Sequence, residues 1–500
     1  MLFNSSVFLF AFLPIVLAGW HLLKPRAPWR LTVTWLVAAS LVFYGWFNPV
    51  YILFILGSIA GNYRLGLAIA AAGAKTRKPL MLAGVAANLG LLGYFKYANF
   101  LVATVNGAAG TAFDLGPIVL PLAISFFTFQ QVAYLVDVWK GRCEEHDFLD
   151  YCLFVTFFPQ LIAGPIVHHS EMMPHFRRPI RRGLLSAWTA WGLSVLAVGL
   201  FKKAVIADGL ALYADPVFDA AAAGTMPTFI EAWGGALAYT LQIYFDFSGY
   251  SEMAIGLGLL FGVRLPLNFA SPYKATNIVE FWRRWHITLS RFLRDYLYIP
   301  LGGNRKGPAR RSANLMATML LGGLWHGAGW TFVAWGCLHG LYLLVNHAWR
   351  GATGGRSFGR AGALAGWALT FLGVVVAWVF FRAADFPAAF AMLAGMAGAN
   401  GVVVPAEILA RLGGAQAWAQ ALGIAAAPGD LTFFFGMGQV AALAAALAIA
   451  VGLPNVHELL VRRRADGRAG LVRALRWRLS PAWGLAAGGA VAAALFGVVR

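Results

Sequence analysis

The chain has 500 residues, 60% of them hydrophobic and only 12% charged, against about 25% charged in a soluble domain. Its formal net charge of +19 is clustered at Lys24/Arg26/Arg30, Lys75/Arg77/Lys78, Arg177/Arg178/Arg181/Arg182, Arg283 to Arg311 and Arg462 to Arg478. These values exclude a soluble globular protein, and basic loops flanking apolar runs need no nucleic acid to explain them.

Taken in chain order, apolar runs near the length of a bilayer-spanning helix fall at 5–22, 31–47, 49–72, 80–96, 117–137, 151–166, 185–212, 232–262, 313–333, 331–350, 364–382, 434–452 and 482–498. Some must be re-entrant or buried. Period-two alternation is absent, so the fold expected is all-α: a polytopic membrane protein with about ten to thirteen transmembrane or re-entrant helices, not a barrel. The N-terminal MLFNSSVFLFAFLPIVLAGW lacks a basic start and reads as a retained first helix. Acids such as Glu144, Glu145, Asp147 and Asp150 lie away from the basic loops. With those loops cytoplasmic, the N-terminus falls outside. Cys143, Cys152 and Cys337 show no paired spacing, so neither a disulfide framework nor a zinc knuckle is expected. No repeat of twenty to fifty residues stands out. After about Arg350 the chain turns to Ala and Gly; Gly351 to Gly366 reads as a loop, and Asn400 to Asp430 as an outside or interfacial segment. The chemistry is expected between Leu91 and Gly340.

Five stretches carry candidate chemistry. VHHSEMMPH (Val167 to His175) has His168, His169, Glu171 and His175, but no recognised ligand spacing, so a polar membrane-edge loop is expected and no metal. YFDFSGYSEMAIGLG (Tyr244 to Gly258) places Asp246 and Glu252 in an apolar run, where a carboxylate costs ~2.5–3.5 kcal/mol at the bilayer centre. Six positions make about 240° on a helix, so the two acids do not share a face, whereas Asp246 and Tyr250 do. They form either an ion pair with an arginine of the next segment or a polar wall of a substrate tunnel. Gly249 is placed to loosen this helix.

FWRRWHITLSRFLRDYLYIPLGGNRKG (Phe281 to Gly307) reads as an amphipathic interfacial helix stopped by Pro300 and Gly302-Gly303. Trp285, Leu289, Phe292 and Tyr296 form its apolar stripe; Arg284, Thr288, Arg291 and Asp295 a polar one; His286, Ser290 and Arg294 a third row. It is either an anchor with an incidental histidine or a charged vestibule for an anionic ligand, since arginines suit phosphates. GGLWHGAGWTFVAWGCLHG (Gly322 to Gly340) carries His326 among Gly322, Gly323, Gly327 and Gly329, where small residues allow close backbone approach or leave room for substrate. A buried neutral histidine can take a proton from a hydroxyl, so His326 is either a base or a hydrogen-bonded core residue. His339 lies about 220° round a straight helix from it, so the two are not a metal pair. GRSFG (Gly355 to Gly359) matches a nucleophile elbow in letters only, because no strand precedes it.

FDFSGYSEMAIG, SPYKATNIVEFWRRWHITLSRFLRDYLYIPLGGNRKG and LLGGLWHGAGWTFVAWGCLHG occur in that order, with FNSSVFLFAFLP, GYFKYANF, ISFFTFQQVAYLVDV and FFPQLIAGPI before them. Together they closely resemble the membrane-bound O-acyltransferase family, in its bacterial alginate O-acetyltransferase-like branch. The resemblance covers roughly residues 1–385, leaving 386–500 as a hydrophobic C-terminal segment with an interfacial or external loop region. It implies a helical enzyme of the bacterial inner membrane with a central tunnel. His326 of the WHG motif would be catalytic, with His286 of the WRRWH motif as the second functional histidine. It further implies an acyl thioester donor, most simply acetyl-CoA, no tightly bound cofactor, an exported polysaccharide or wall polymer as acceptor, and a periplasmic partner protein. The donor's phosphates would meet Arg283, Arg284, Arg291, Arg294, Arg305 and Lys306. A transient acyl-histidine fits the same residues as a general base does. A transporter or a non-catalytic scaffold of a polysaccharide export complex is the competing expectation, and a transporter commonly shows two related halves, which are not evident here.

Overall fold

The computed structural model describes residues 1–143, 147–177, 182–406, 410, 413, 416–421, 423–426, 431–460 and 480–499. Glu144, Glu145, Arg178, Arg181 and the basic run Arg462 to Arg478 lie outside the described residues. The chain is helical almost throughout. The first helices are α1 (Leu13–Leu23), α2 (Trp29–Gly45), α3 (Val50–Ala71), α4 (Ala74–Leu92), α5 (Ala98–Ala109) and α6 (Ile124–Trp139). Short helices α7 (Phe148–Thr156), α8 (Phe158–Leu161) and α9 (His169–Arg177) follow. The second half of the bundle is α10 (Arg182–Phe201), α11 (Asp208–Ala222), α12 (Phe229–Leu260), α13 (Ile278–Arg284), α14 (Ile287–Leu293), α15 (Gly307–His326), α16 (Trp330–Ala352), α17 (Gly359–Arg382) and α18 (Phe386–Met396). Among the described residues the only sheet pairs Val402–Val404 in parallel with Ile424–Ala426.

Val50–Ala71, Ala74–Ala109 and Gly359–Arg382 are long and apolar enough to cross a membrane. Several expected spans are instead interrupted. The 117–137 run becomes helical only at Ile124, after Pro117 and Pro121. The 151–166 run splits at Phe157 into α7 and α8, with Pro159 opening α8. The 185–212 run passes through a π-helical turn, Lys202–Ala207, between α10 and α11. A second such turn, Gly93–Tyr97, joins α4 to α5, and a third, Arg294–Tyr298, follows α14. Turns of this kind concentrate near functional sites.

Helix α12, with 32 residues, is the axis of the second half. It is opened by a capping box, in which Thr228 N donates to Glu231 Oε2 at 3.0 Å. Gly249 does not loosen it. A Cβ there would sit 2.8 Å from the Gly199 carbonyl, so the glycine lets α10 and α12 touch backbone to backbone while α12 runs on unbroken. Its acids pair with adjacent lysines of the π turn rather than with arginines: Glu252 with Lys202 at 2.7 Å and Asp246 with Lys203 at 2.6 Å.

Helices α15 and α16 form an antiparallel hairpin. A Cβ on Gly323 would meet the Phe332 carbonyl at 2.3 Å, and one on Gly336 the Met319 carbonyl at 2.4 Å, so only glycine permits this contact. Between them Gly327 and Gly329 are extended, and Gly329 N donates to the Gly327 carbonyl at 3.1 Å, which closes a tight turn at Ala328. His326 and His339 therefore lie on two helices joined by a corner, and the straight-helix angle between them does not apply.

Candidate active site

The amphipathic helix expected over 281–298 is broken in its middle. α13 ends at Arg284 and α14 begins at Ile287, with His286 between them at φ 42°, ψ 54°. A left-handed histidine costs about 1–3 kcal/mol and persists only where its surroundings fix it. Here they do, through the extended segment that precedes α13. Asn268 carbonyl accepts from Ile287 N at 2.9 Å, and Ala270 N donates to the Arg284 carbonyl at 2.9 Å. Those bonds replace the helical ones lost at the break. The Asn268 side chain adds more. Its Oδ1 accepts from Thr288 N (3.3 Å), Thr288 Oγ1 (3.0 Å) and His286 Nδ1 (3.1 Å), and its Nδ2 donates to Ser251 Oγ at 3.1 Å.

This network sets the tautomer of His286. A backbone N–H can only donate, so the atom facing Thr288 N is the amide oxygen, and His286 Nδ1 must carry the hydrogen. Nε2 of the neutral ring is then an acceptor. It is buried, and no partner for it occurs among the described residues.

The apolar stripe divides at the break. Trp285 packs with Phe269, Phe281 and Trp378, whereas Leu289 and Phe292 join Phe129 and Trp325 in a separate cluster. His286 lies at the seam, with Phe247 of α12 edge-on at 4.7 Å. His326 comes to the same seam from the end of α15. Its ring centroid is 6.2 Å from that of His286 and 5.2 Å from both Trp335 and Phe381. No hydrogen bond to the His326 ring occurs among the described residues.

Helix α15 ends at His326 with its last carbonyls unpaired inside the helix. The turn carrying GYFKYANF meets them: Lys96 Nζ donates to the Trp325 carbonyl, and Tyr97 Oη to that of Leu324 at 2.8 Å. A cation at a helix C-terminus is favourable to the helix dipole. His339 is wholly buried beyond Trp335, caged by Phe281, Trp282, Trp335, Tyr342 and Trp378.

The remaining candidates are engaged elsewhere. Tyr250 stacks on Phe3 at 4.8 Å, and Asp246 holds Lys203. Ser290 Oγ faces the Trp285 carbonyl at 3.5 Å. Arg284 pairs with Glu280 (2.6 Å), Arg291 is bidentate on Glu171 (2.8 and 2.9 Å) and Arg294 pairs with Asp295 (2.7 Å). Arg305 and Lys306 are exposed and without an ion pair among the described residues, and Arg283 lines a separate groove. The VHHSEMMPH residues find unlike partners: His168 meets Tyr296 Oη at 3.0 Å, His169 meets Cys143 Sγ at 3.5 Å, and Glu171 is held by Arg291. Ser357 of GRSFG follows a helix, in an exposed loop, as no nucleophile elbow does.

Asn268, Lys96, Phe247 and Trp335 were not singled out from the sequence. Two of them left a signal. Lys96 is a cation within a run otherwise apolar, and Asn268 a polar residue between Leu267 and Phe269.

The comparisons agree with the motifs. The peptidoglycan O-acetyltransferase of Helicobacter pylori is 48% identical over 429 residues, covering 80% of this chain and 81% of that one. The chain belongs to the membrane-bound O-acyltransferase family. The model of that family, described as "MBOAT, membrane-bound O-acyltransferase family", matches residues 143–384. The "Probable alginate O-acetylase AlgI" of Pseudomonas putida is 45% identical over 404 residues, 79% of this chain and 80% of that one. A teichoic acid D-alanyltransferase of Streptococcus thermophilus is 29% identical over 254 residues, 49% of this chain and 60% of that one. As a member of this membrane-bound O-acyltransferase family, the chain is an integral membrane acyltransferase. His286, His326 and the network around Asn268 all fall inside the matched region.

Proposed function

We propose that this acyltransferase moves an acyl group, most simply acetyl, from a cytosolic thioester to hydroxyls of an exported polysaccharide or wall polymer, directly or through a periplasmic partner. The observation that carries the reading is the convergence of two imidazoles at one seam, 6.2 Å apart between ring centroids, in a chain whose relatives at 45% and 48% identity are named for O-acetylation of alginate and peptidoglycan. His326 is the general base. It takes the proton of the acceptor hydroxyl as that oxygen attacks the thioester carbonyl. The tetrahedral intermediate collapses, the carbon–sulfur bond breaks, and the proton passes to the leaving thiolate. General base catalysis contributes about 10²–10⁴-fold, and positioning in a dry site must supply the rest.

His286 holds the acceptor. With Nδ1–H given to Asn268, its Nε2 accepts a hydrogen bond from a hydroxyl. In that state it has no hydrogen to offer an oxyanion, which separates its role from that of an oxyanion donor. The donor enters from the cytoplasmic face, a reading that the clustering of basic residues in the loops supports. Glu280, Glu171 and Asp295 already occupy Arg284, Arg291 and Arg294. Arg283 lines a groove whose residues include neither histidine, so of the six cations of the run Arg305 and Lys306 are the ones offered to the donor's phosphates. The enzyme would lie in the bacterial inner membrane with its N-terminus periplasmic.

The test is His326→Ala in the producing organism, with O-acetyl groups on the extracted polymer quantified by NMR and protein level by immunoblot. Loss of acetylation at normal protein level is expected; unchanged acetylation would overturn the assignment of His326.

A further inference from the structure

A groove of about 990 Å³ opens on the flank of the bundle between α13, α16 and α17, apart from the histidine seam. We propose that it is a binding site for an anionic phospholipid of the cytoplasmic leaflet, with the phosphate on Arg350 and Arg356 and an acyl chain along α17. Three observations carry this.

The first is position. The basic residues Arg305, Lys306, Arg310 and Arg311 lie just before and at the start of α15, and α16 runs antiparallel to it, so the α16–α17 loop returns to the same, cytoplasmic side. The second is charge. Arg283, Arg350 and Arg356 line the groove, and none has an ion pair among the described residues. The one carboxylate lining it, Glu280, is already held by Arg284 Nη2 at 2.6 Å and Thr276 N at 2.9 Å. Basic pockets at the cytoplasmic end of helix pairs suit anionic headgroups.

The third is shape. On α17 the lining runs from Gly359 to Gly373, about 21 Å of helix at 1.5 Å per residue. One leaflet's share of the ~30 Å hydrocarbon core is about 15 Å, so the trough takes one chain plus its headgroup region. A Cβ on Gly366 would meet the Thr276 carbonyl at 2.6 Å, so glycine brings α17 close against the segment before α13 along the groove, and Val345, Trp349 and Leu369 are exposed apolar walls. α17 is itself one of the helices long and apolar enough to cross the membrane, so exposed Leu369 on it faces lipid. The inference does not depend on the acyl transfer reaction.

The full-length protein in detergent, incubated with equimolar phosphatidylglycerol and phosphatidylcholine and examined by native mass spectrometry, tests it. Retention of phosphatidylglycerol over phosphatidylcholine is expected, falling about tenfold or more in Arg350→Gln/Arg356→Gln. Millimolar acetyl-CoA or inorganic phosphate should leave the lipid bound. Equal retention of the two lipids, or an undiminished preference in the variant, overturns the proposal. Displacement by acetyl-CoA also overturns it and makes the groove part of the donor path. Arg350 and Arg356 are exposed, and an unchanged elution profile of the variant checks its folding.

Discussion

The Nδ1–H of His286 donates to Oδ1 of Asn268 at 3.1 Å, and that single amide also takes both hydrogens offered by Thr288. Asn268 thus fixes the tautomer, the ring direction and the left-handed backbone of the histidine at once. Thr288 extends the lock, because its Oγ1 accepts from Ile166 N at 3.0 Å and ties in the FFPQLIAGPI segment.

Removing the amide should leave His286 present but misdirected. Asn268→Ala is expected to lower kcat by about 10²-fold, the scale of a 1 Å misplacement of a reacting group. KM for the thioester should change little, because Asn268 is fully buried and its side chain is engaged by His286, Thr288 and Ser251. Asn268→Asp keeps an acceptor for Nδ1 and should recover part of the loss. Initial rates with purified enzyme decide it; an Asn268→Ala enzyme as fast as the parent would remove His286 orientation from the mechanism.

Lys96 is expected to matter through α15. It holds the Trp325 carbonyl one residue before His326, and a hydrogen bond from a charged group contributes about 1.5–3 kcal/mol. Lys96→Met should lower both the melting temperature in detergent and the turnover rate. Lys96→Arg, which keeps the cation, should lose less of each. If Lys96→Met changes neither quantity, the end of α15 is held by Tyr97 and packing alone.

Much of this was legible in the sequence, and what was not has physical causes. The helical membrane class follows from apolar runs, and the two histidines from motifs that stay contiguous in the chain. The break at His286 was hidden because both sides of it are buried: Trp285 serves one aromatic cluster and Leu289 and Phe292 another, so the apolar spacing runs on as though the helix did. The corner at Gly327 to Gly329 was hidden for a related reason. Glycine reads equally as a tight helix contact or a turn, and this hairpin uses it for both. The partner of Arg291 was beyond reach, since Glu171 lies 120 residues away, whereas Glu280 and Asp295 stand within one helical turn of Arg284 and Arg294.

Those pairings alter what arginine substitutions should do. Arg291→Ala removes a pair whose partner Glu171 is about half exposed, and surface pairs contribute at most about 1 kcal/mol. Its donor KM is expected to stay within about twofold of the parent value. Arg305→Ala/Lys306→Ala should raise that KM about tenfold or more with little change in kcat, as loss of uniform donor binding does. Steady-state kinetics with acetyl-CoA separate the cases; a large KM effect confined to Arg291→Ala would mean that Glu171 yields its arginine to the donor.

His339 gives a different kind of expectation. Its ring packs on Trp335, which also packs on His326, and neither ring nitrogen is partnered among the described residues within the cage of aromatic rings. An imidazole placed so meets aromatic rings and not the ring of His286 or His326, and burying its two polar atoms costs stability. His339→Gln should therefore retain most activity, though its amide meets the same apolar cage. His339→Met, which fills the space without a hydrogen-bonding demand, should be as active and melt at an equal or higher temperature. Turnover and melting temperature of the purified variants decide it. Loss of activity in both variants with melting temperature unchanged would place His339 in the chemistry, passing a proton through or around Trp335, and would overturn its assignment to packing.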